Sequence, residues 1–447
     1  MKLPIACFLL VPLFVWAADN PADSESYWPQ WRGPSGNGVS HTANPPVEWS
    51  EQKNLRWKVN IPGKGHASPV VWGDRVFVLT TIAPEEVPGK EAEKEEPPPQ
   101  GERRRGPRSL QPSGVMKFAI LALNRQDGAV LWQKVLREEL PHEGVHKVAT
   151  WASSSPVTDG EHIYAFFGSR GLYCLDMNGN LQWEKDLGDM TIRLGFGEGS
   201  SPVLHGDRLV INWDHEGQSF IVALDSKTGK ELWRVDRNEV TSWATPLIVE
   251  SQGRSQVVTS ATGSVRSYDL ATGEQIWQST GMTANVIPSP VAAGGMVYLT
   301  SGFRGNALQA IRVSSAKGDL AGSSAIAWTR DQDTPYTPSP VLYDSVLYLL
   351  KHNSGILTAI DASSGEAIYG PQRLPGIEQV FASPVGAGGH LYIPSTNGTV
   401  TVVKHGREYE VLAENRLQDS FSASPAIAGS ELYLRGDESL YCIASQQ

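Results

Sequence analysis

A Ser-Pro or Thr-Pro pair opens each of eight similar stretches along this chain, at Ser68, Ser155, Ser201, Thr245, Ser289, Ser339, Ser383 and Ser424. The spacings are 87, 46, 44, 44, 50, 44 and 41, a period near 45 with one enlarged first copy. A unit of that length cannot bury both its faces alone, so its copies must stack, and such periods belong to propellers and solenoids. Ser201 to Trp233 displays the unit. Short β-rich runs at Val203–Leu204, Arg208 to Trp213, Ser219 to Leu224 and Lys230 to Trp233 are separated by turns rich in Gly and Asp. Forty-four glycines and fourteen tryptophans suit many tight turns and flat seams, and long helical patterns are absent.

Many copies close on an acidic or amide residue, a glycine and an aromatic: Asn124…Gly128…Trp132, Asp176…Gly179…Trp183, Asp225…Gly229…Trp233, Asp269…Gly273…Trp277 and Asp361…Gly365…Tyr369. The first residue caps the turn, the glycine supplies positive φ, and the aromatic lies between neighbouring sheets. Copy five keeps Trp328 without the Asp and Gly, and copy seven lacks the aromatic. The last copy has three strands only, Pro425–Ala428, Glu431–Arg435 and Ser439–Ala444, whereas Leu55 to Val59 is an orphan closing strand ahead of the first. Together they predict an all-β, eight-bladed propeller of four-stranded antiparallel blades, closed by its N-terminal strand, because closure removes the exposed edges.

Residues 1–17 read as a cleaved signal peptide, with Lys2, an apolar run and Val15-Trp16-Ala17 as the cleavage site. The run is too short to span a bilayer, so the protein is expected to be secreted or periplasmic, without a transmembrane segment. Residues 18–48, with the run Tyr27 to Pro34, form an irregular strap, and 49–447 the propeller. Residues 83–115, acidic and then basic with almost nothing apolar, read as a disordered insertion in the first copy. The net charge of −10 argues against nucleic acid as a partner. Cys174 and Cys442 occupy the same place in two separate copies and read as buried small hydrophobes.

The repeated SPV…G…VY…G…ALD…TG…W pattern resembles the quinoprotein (PQQ-repeat-like) eight-bladed propellers over about residues 49–447, and Trp28 to Pro34 is similar to the leader of secreted bacterial members. That resemblance implies two alternatives. One is a dehydrogenase of alcohols or sugars that uses pyrroloquinoline quinone (PQQ) with calcium. The other is a non-catalytic propeller like the lipoprotein of the outer-membrane β-barrel assembly machine.

In a propeller the fourth-to-first and second-to-third connections share the usual ligand face. Two fourth-to-first connections are long, Trp132 to Ser155 and Trp183 to Ser201, which predicts an asymmetric site near blades 1 to 3. His66, Trp151, Arg193, Glu198, Trp243, Asn285, Tyr336 and Gln379 all fall shortly before an opening strand and are the candidate funnel lining. Among them Glu198 and Asn285, with Asp333, would be the oxygen donors for a quinone-bound calcium, and Trp151 or Trp243 the stacking group. The vicinal cysteine pair of many alcohol-oxidising relatives is missing. His142-Glu143-Gly144-Val145-His146 matches HExxH, but Pro141 and Gly144 oppose the helix that zinc chemistry needs, so it reads as a polar loop and zinc hydrolysis as a remote alternative. These readings favour a monomeric, non-catalytic scaffold that binds a protein partner or small ligand at the funnel face without a cofactor.

Overall fold

The computed structural model describes residues 26–84 and 109–445; the leader and most of the insertion, residues 85–108, lie outside that range. Among the described residues the chain is all β, interrupted by three single turns of 3-10 helix, and its strands assemble into eight four-stranded antiparallel blades. In blade 3, for example, Val203–His205 lies innermost, followed outward by Arg208–Trp213, Ser219–Asp225 and Glu231–Arg237. Blade 8 is completed by the N-terminus: Leu55–Asn60 pairs antiparallel with Ser439–Ile443, with Trp57 opposite Cys442 and a register shift between Leu55 and Trp57. The closure read from the orphan strand is therefore the observed one.

The aromatic-and-glycine signature has a direct structural meaning. Each closing indole lies flat on the turn glycine of the next blade. A Cβ added at Gly128 would sit 2.8 Å from the Trp57 ring, and one at Gly229 2.8 Å from Trp183. The indole N–H donates to the carbonyl just after the turn-capping residue: Trp57 to Arg125 at 3.0 Å, Trp132 to Met177 at 3.1 Å, Trp183 to Ser226 at 2.9 Å, Trp233 to Leu270 at 2.9 Å and Trp328 to Ala362 at 3.2 Å. Where a copy lacks the signature, other chain fills the gap. Trp277 faces blade 5, which has no such glycine; it is fully buried among Val313, Ala316 and Leu320, and Gly318–Asp319 adds a parallel fifth strand to blade 4. Blade 7 has no closing aromatic, and Trp49 covers it, stacking on Tyr392 at 6.2 Å, while the Trp49 backbone N–H donates to Asn415 Oδ1 at 2.8 Å.

The Ser/Thr-Pro openers form a belt around the axis. Each opener's N–H donates to the hydroxyl of the next one, from Ser68 through Ser155, Ser201, Thr245, Ser289, Ser339 and Ser383 to Ser424, at 2.8 to 3.1 Å. A hydroxyl at this position is thus an obligatory acceptor for a buried amide. The belt is open at one place, since the Ser68 hydroxyl has no partner.

Below the belt the N-terminal segment crosses the axis. Trp28 bridges to Val71 of blade 1, Pro29 accepts from Thr158 of blade 2, and Asn37 exchanges two hydrogen bonds with Ala292 of blade 5. Arg32, only 2% exposed, donates to the Pro384 and Pro340 carbonyls of blades 7 and 6, both at 2.5 Å. Val39–Ser40 then runs parallel to Val385–Ala387. Of the insertion, Ser109–Leu110 pairs with Val145–His146, so this flank of a segment read as structureless is a strand. Cys174 and Cys442 are free and buried, and burial pushes both thiols up to about 12.

Candidate functional site: the axial cavity

The blades enclose an axial cavity of about 380 Å³ whose wall follows from strand alternation. Residues i and i+2 of an extended segment face the same way, so the residue two before each opener points inward with the opener itself. All eight of these residues line the cavity: His66, Ser153, Gly199 and Trp243 from blades 1 to 4, and Ile287, Thr337, Phe381 and Ser422 from blades 5 to 8. Beneath them six opener hydroxyls form a lower ring, and Trp31 of the crossing segment is the floor, its indole N–H donating to Ser289 Oγ at 3.2 Å. A second cavity of about 230 Å³ lies on the other side of Trp31, beside blades 3 and 4.

The structure brings five of the eight candidate residues to this wall: His66, Glu198, Trp243, Tyr336 and Gln379. Three lie elsewhere. Trp151 points away into the mouth loop, donating to the Glu143 carbonyl at 3.0 Å. Arg193 sits in a turn outside the wall, its N–H bonded to Thr241 Oγ1 at 3.0 Å. Asn285, buried at a φ of 56°, stands behind Tyr336. Sequence reasoning missed Trp31, His146, Phe196 and Phe381. Phe381 was within reach of the two-before-the-opener rule; Trp31 was not, since nothing in its own stretch shows that it crosses the axis. The two long connections do shape the mouth, supplying His146 and Phe196, but blades 5 to 7 contribute as much through Ile287, Tyr336 and Phe381.

The mouth's titratable groups hold loops in place. The Glu198 carboxylate accepts from Ser169 N at 2.7 Å and Ser169 Oγ at 2.5 Å. It fits only because residue 168 is glycine, where a Cβ would fall 1.4 Å from Oε2. Burial pushes its pKa above the usual carboxylate range, against the pull of these bonds and of His142 and Arg170. The HExxH segment is strand and loop, so its two imidazoles do not share a helical face. His142 Nε2 lies 2.7 Å from the Met190 carbonyl and Nδ1 2.5 Å from the Arg170 guanidinium, so both ring nitrogens are engaged. Glu143 Oε2 accepts from Ile192 N at 2.9 Å. His146 stands edge-on to Phe196 at 5.3 Å on the cavity wall, where burial lowers its pKa.

The donor set does not fit a quinone with calcium. Calcium takes six to eight oxygen ligands, carboxylates foremost. Among the described residues the wall has one carboxylate, Glu198, already engaged with Ser169; Asp333 is paired with Lys351 at 3.0 Å, and Asn285 is behind the wall. Among the described residues no three His, Cys, Asp or Glu side chains converge as ligands of a metal ion.

A family model described as outer membrane protein assembly factor BamB matches residues 39–213 and 217–447, and the chain belongs to that family. A curated relative of that name from Burkholderia pseudomallei is 26% identical over 268 residues, 56% of this chain and 66% of its own length. The chain thus spans just under two thirds of that relative. Among solved structures, BamB from Moraxella catarrhalis superposes with a TM-score of 0.56 at 12% identity, over 88% of this chain and 98% of the other. The quinohemoprotein alcohol dehydrogenase from Comamonas testosteroni gives 0.61 at 11% identity, over 94% and 81%. At such identities the structural likeness speaks for the fold alone.

Proposed function

We propose that this member of the assembly-factor family is a periplasmic, monomeric, non-catalytic platform that engages a protein partner of outer-membrane protein assembly through the mouth of its axial cavity. The observation that carries this reading is the engagement of the mouth's acids and bases. Glu198, Glu143 and His142 each hold a neighbouring loop, which positions a binding face and occupies these three groups with structural bonds. The family membership and the apolar N-terminal run support the compartment.

The test is affinity purification of the tagged protein from its own envelope, beside a Trp243→Ala, Tyr336→Ala variant. The expected result is a component of the outer-membrane assembly machinery recovered with the parent and lost with the variant. Uptake of PQQ with calcium, followed by dye reduction on adding an alcohol or sugar, would overturn the reading in favour of a quinoprotein dehydrogenase.

A further inference from the structure

The lower ring of the cavity carries an excess of hydrogen-bond donors. The hydroxyls of Ser201, Thr245, Ser289, Ser339, Ser383 and Ser424 each accept a backbone N–H from the neighbouring opener. Among the described residues none of these six donates its own hydrogen to a protein acceptor, and all six reach the cavity. A hydroxyl has one donor besides its lone pairs, so the belt presents a circle of unused O–H groups to whatever occupies the axis. Asn353 adds to them, because its Oδ1 accepts from Thr337 N at 2.9 Å and its amide hydrogens remain. The Gln379 carboxamide has neither end engaged among the described residues and also lines the wall.

A donor-rich ring asks for an occupant rich in oxygen acceptors, and the charge of the wall decides which kind. Among the described residues no Lys or Arg lines the cavity, and His66 lies against Asp437 at 3.4 Å, so an anion brought here would lose its hydration without a full countercharge from them. A cation would meet the donors wrongly oriented, and Glu198 is engaged with Ser169. The upper ring is two-sided. Trp243, Ile287 and Phe381 offer apolar surface from blades 4, 5 and 7, whereas Ser153, Gly199 and Ser422 are small, and the Trp31 indole forms the floor.

We propose that the axial cavity binds a small neutral saccharide, with ring hydroxyl oxygens accepting from the belt and the C–H face of the sugar against Trp243 and the Trp31 floor. The cavity is within the size range of small-molecule sites. This is binding without chemistry, and it rests on the reading of the mouth as a binding face.

The experiment titrates the full chain with glucose, maltose and N-acetylglucosamine, following indole fluorescence and melting temperature, with sulfate and glucuronate as anionic controls. At least one neutral sugar should bind saturably and raise the melting temperature, as any ligand selective for the native state does. Gln379→Leu removes no side-chain hydrogen bond among the described residues and should weaken that sugar about tenfold, the worth of one or two hydrogen bonds. Trp31→Phe should diminish the fluorescence response. No saturable binding by the three sugars, tighter binding of sulfate or glucuronate, or an affinity unmoved by Gln379→Leu would each overturn the proposal. Partner capture with the parent protein separates the two readings: capture without any sugar binding sinks only the saccharide, whereas absence of both sinks the shared binding face.

Discussion

The seams at the outer rim and the wall of the axial cavity are built from the same repeat under opposite rules. At the rim each closing indole has one task, to cover a glycine at positive φ and donate to one carbonyl, so Trp57, Trp132, Trp183, Trp233 and Trp328 are interchangeable in role. On the axis the backbone is equally regular, but the inward side chain two before the opener is His, Ser, Gly, Trp, Ile, Thr, Phe and Ser in turn. The rim carries stability and the axis carries identity. Seam substitutions should therefore cost stability wherever they are made, and wall substitutions should change binding with little cost in folding.

The largest effect should come from removing the segment that serves both regions. Deleting residues 26–60 takes away the fourth strand of blade 8, the Trp49 cover of blade 7 and the Trp31 floor together. An open edge on Ser439–Ile443 should lead to aggregation, read as loss of the monomer peak in size-exclusion chromatography. A monomeric, cooperatively melting deletion variant would break the contrast, since closure would then be dispensable.

Next come single seams. Trp57→Ala should cost about 3–5 kcal/mol in denaturant unfolding, as for truncation of a buried aromatic. Trp277→Ala should cost at least as much, because Trp277 is fully buried and also supports the parallel strand at Gly318–Asp319. A much smaller loss at Trp277 would show that the filled seam and the glycine seams differ in more than their covering chain.

A smaller and sharper test pairs two glycines. Gly273, at a φ of 77°, would place an alanine Cβ 2.8 Å from the Trp233 ring, whereas Gly206, at 57°, would meet nothing within 4 Å. Gly206→Ala measures left-handed strain alone, about 1 kcal/mol. Gly273→Ala adds displacement of the indole and should cost about 1–3 kcal/mol more. Equal losses would mean the indole is free to shift.

The same contrast explains what was readable beforehand. The turn-capping Asp, the glycine and the indole act within one local geometry that recurs, so spacing alone located the blades, and the orphan strand Leu55–Val59 located the closure. The strap's course was opaque because Arg32 and Trp31 bind carbonyl and hydroxyl groups of Pro340, Pro384 and Ser289, which are far away in sequence and common to every blade. Trp151 and Arg193 were misplaced because they lie on long connections, where distance from an opener no longer fixes direction. His66 and Trp243 stand at the fixed register, two residues before the opener, and both reach the wall.

The smallest effect concerns Glu198, a wall residue whose cost to folding should appear only through pH. Its carboxyl has an ordinary value of 4.5, and burial raises it in the folded protein, so between 4.5 and that raised value the native state holds a proton that the unfolded chain has released. Stability from this group is then full below about pH 4.5 and is lost as pH rises through the folded value. Glu198→Gln removes that dependence while keeping an oxygen to accept from Ser169 N and an amide to donate to Ser169 Oγ. Melting curves of both proteins from pH 4 to 8 should show the variant gaining on the parent as pH rises, with the two closest at the acid end. A gap that instead widens towards acid would mean that Ser169, His142 and Arg170 outweigh burial, making Glu198 a stabilising carboxylate and placing this corner of the mouth under the rules of the rim.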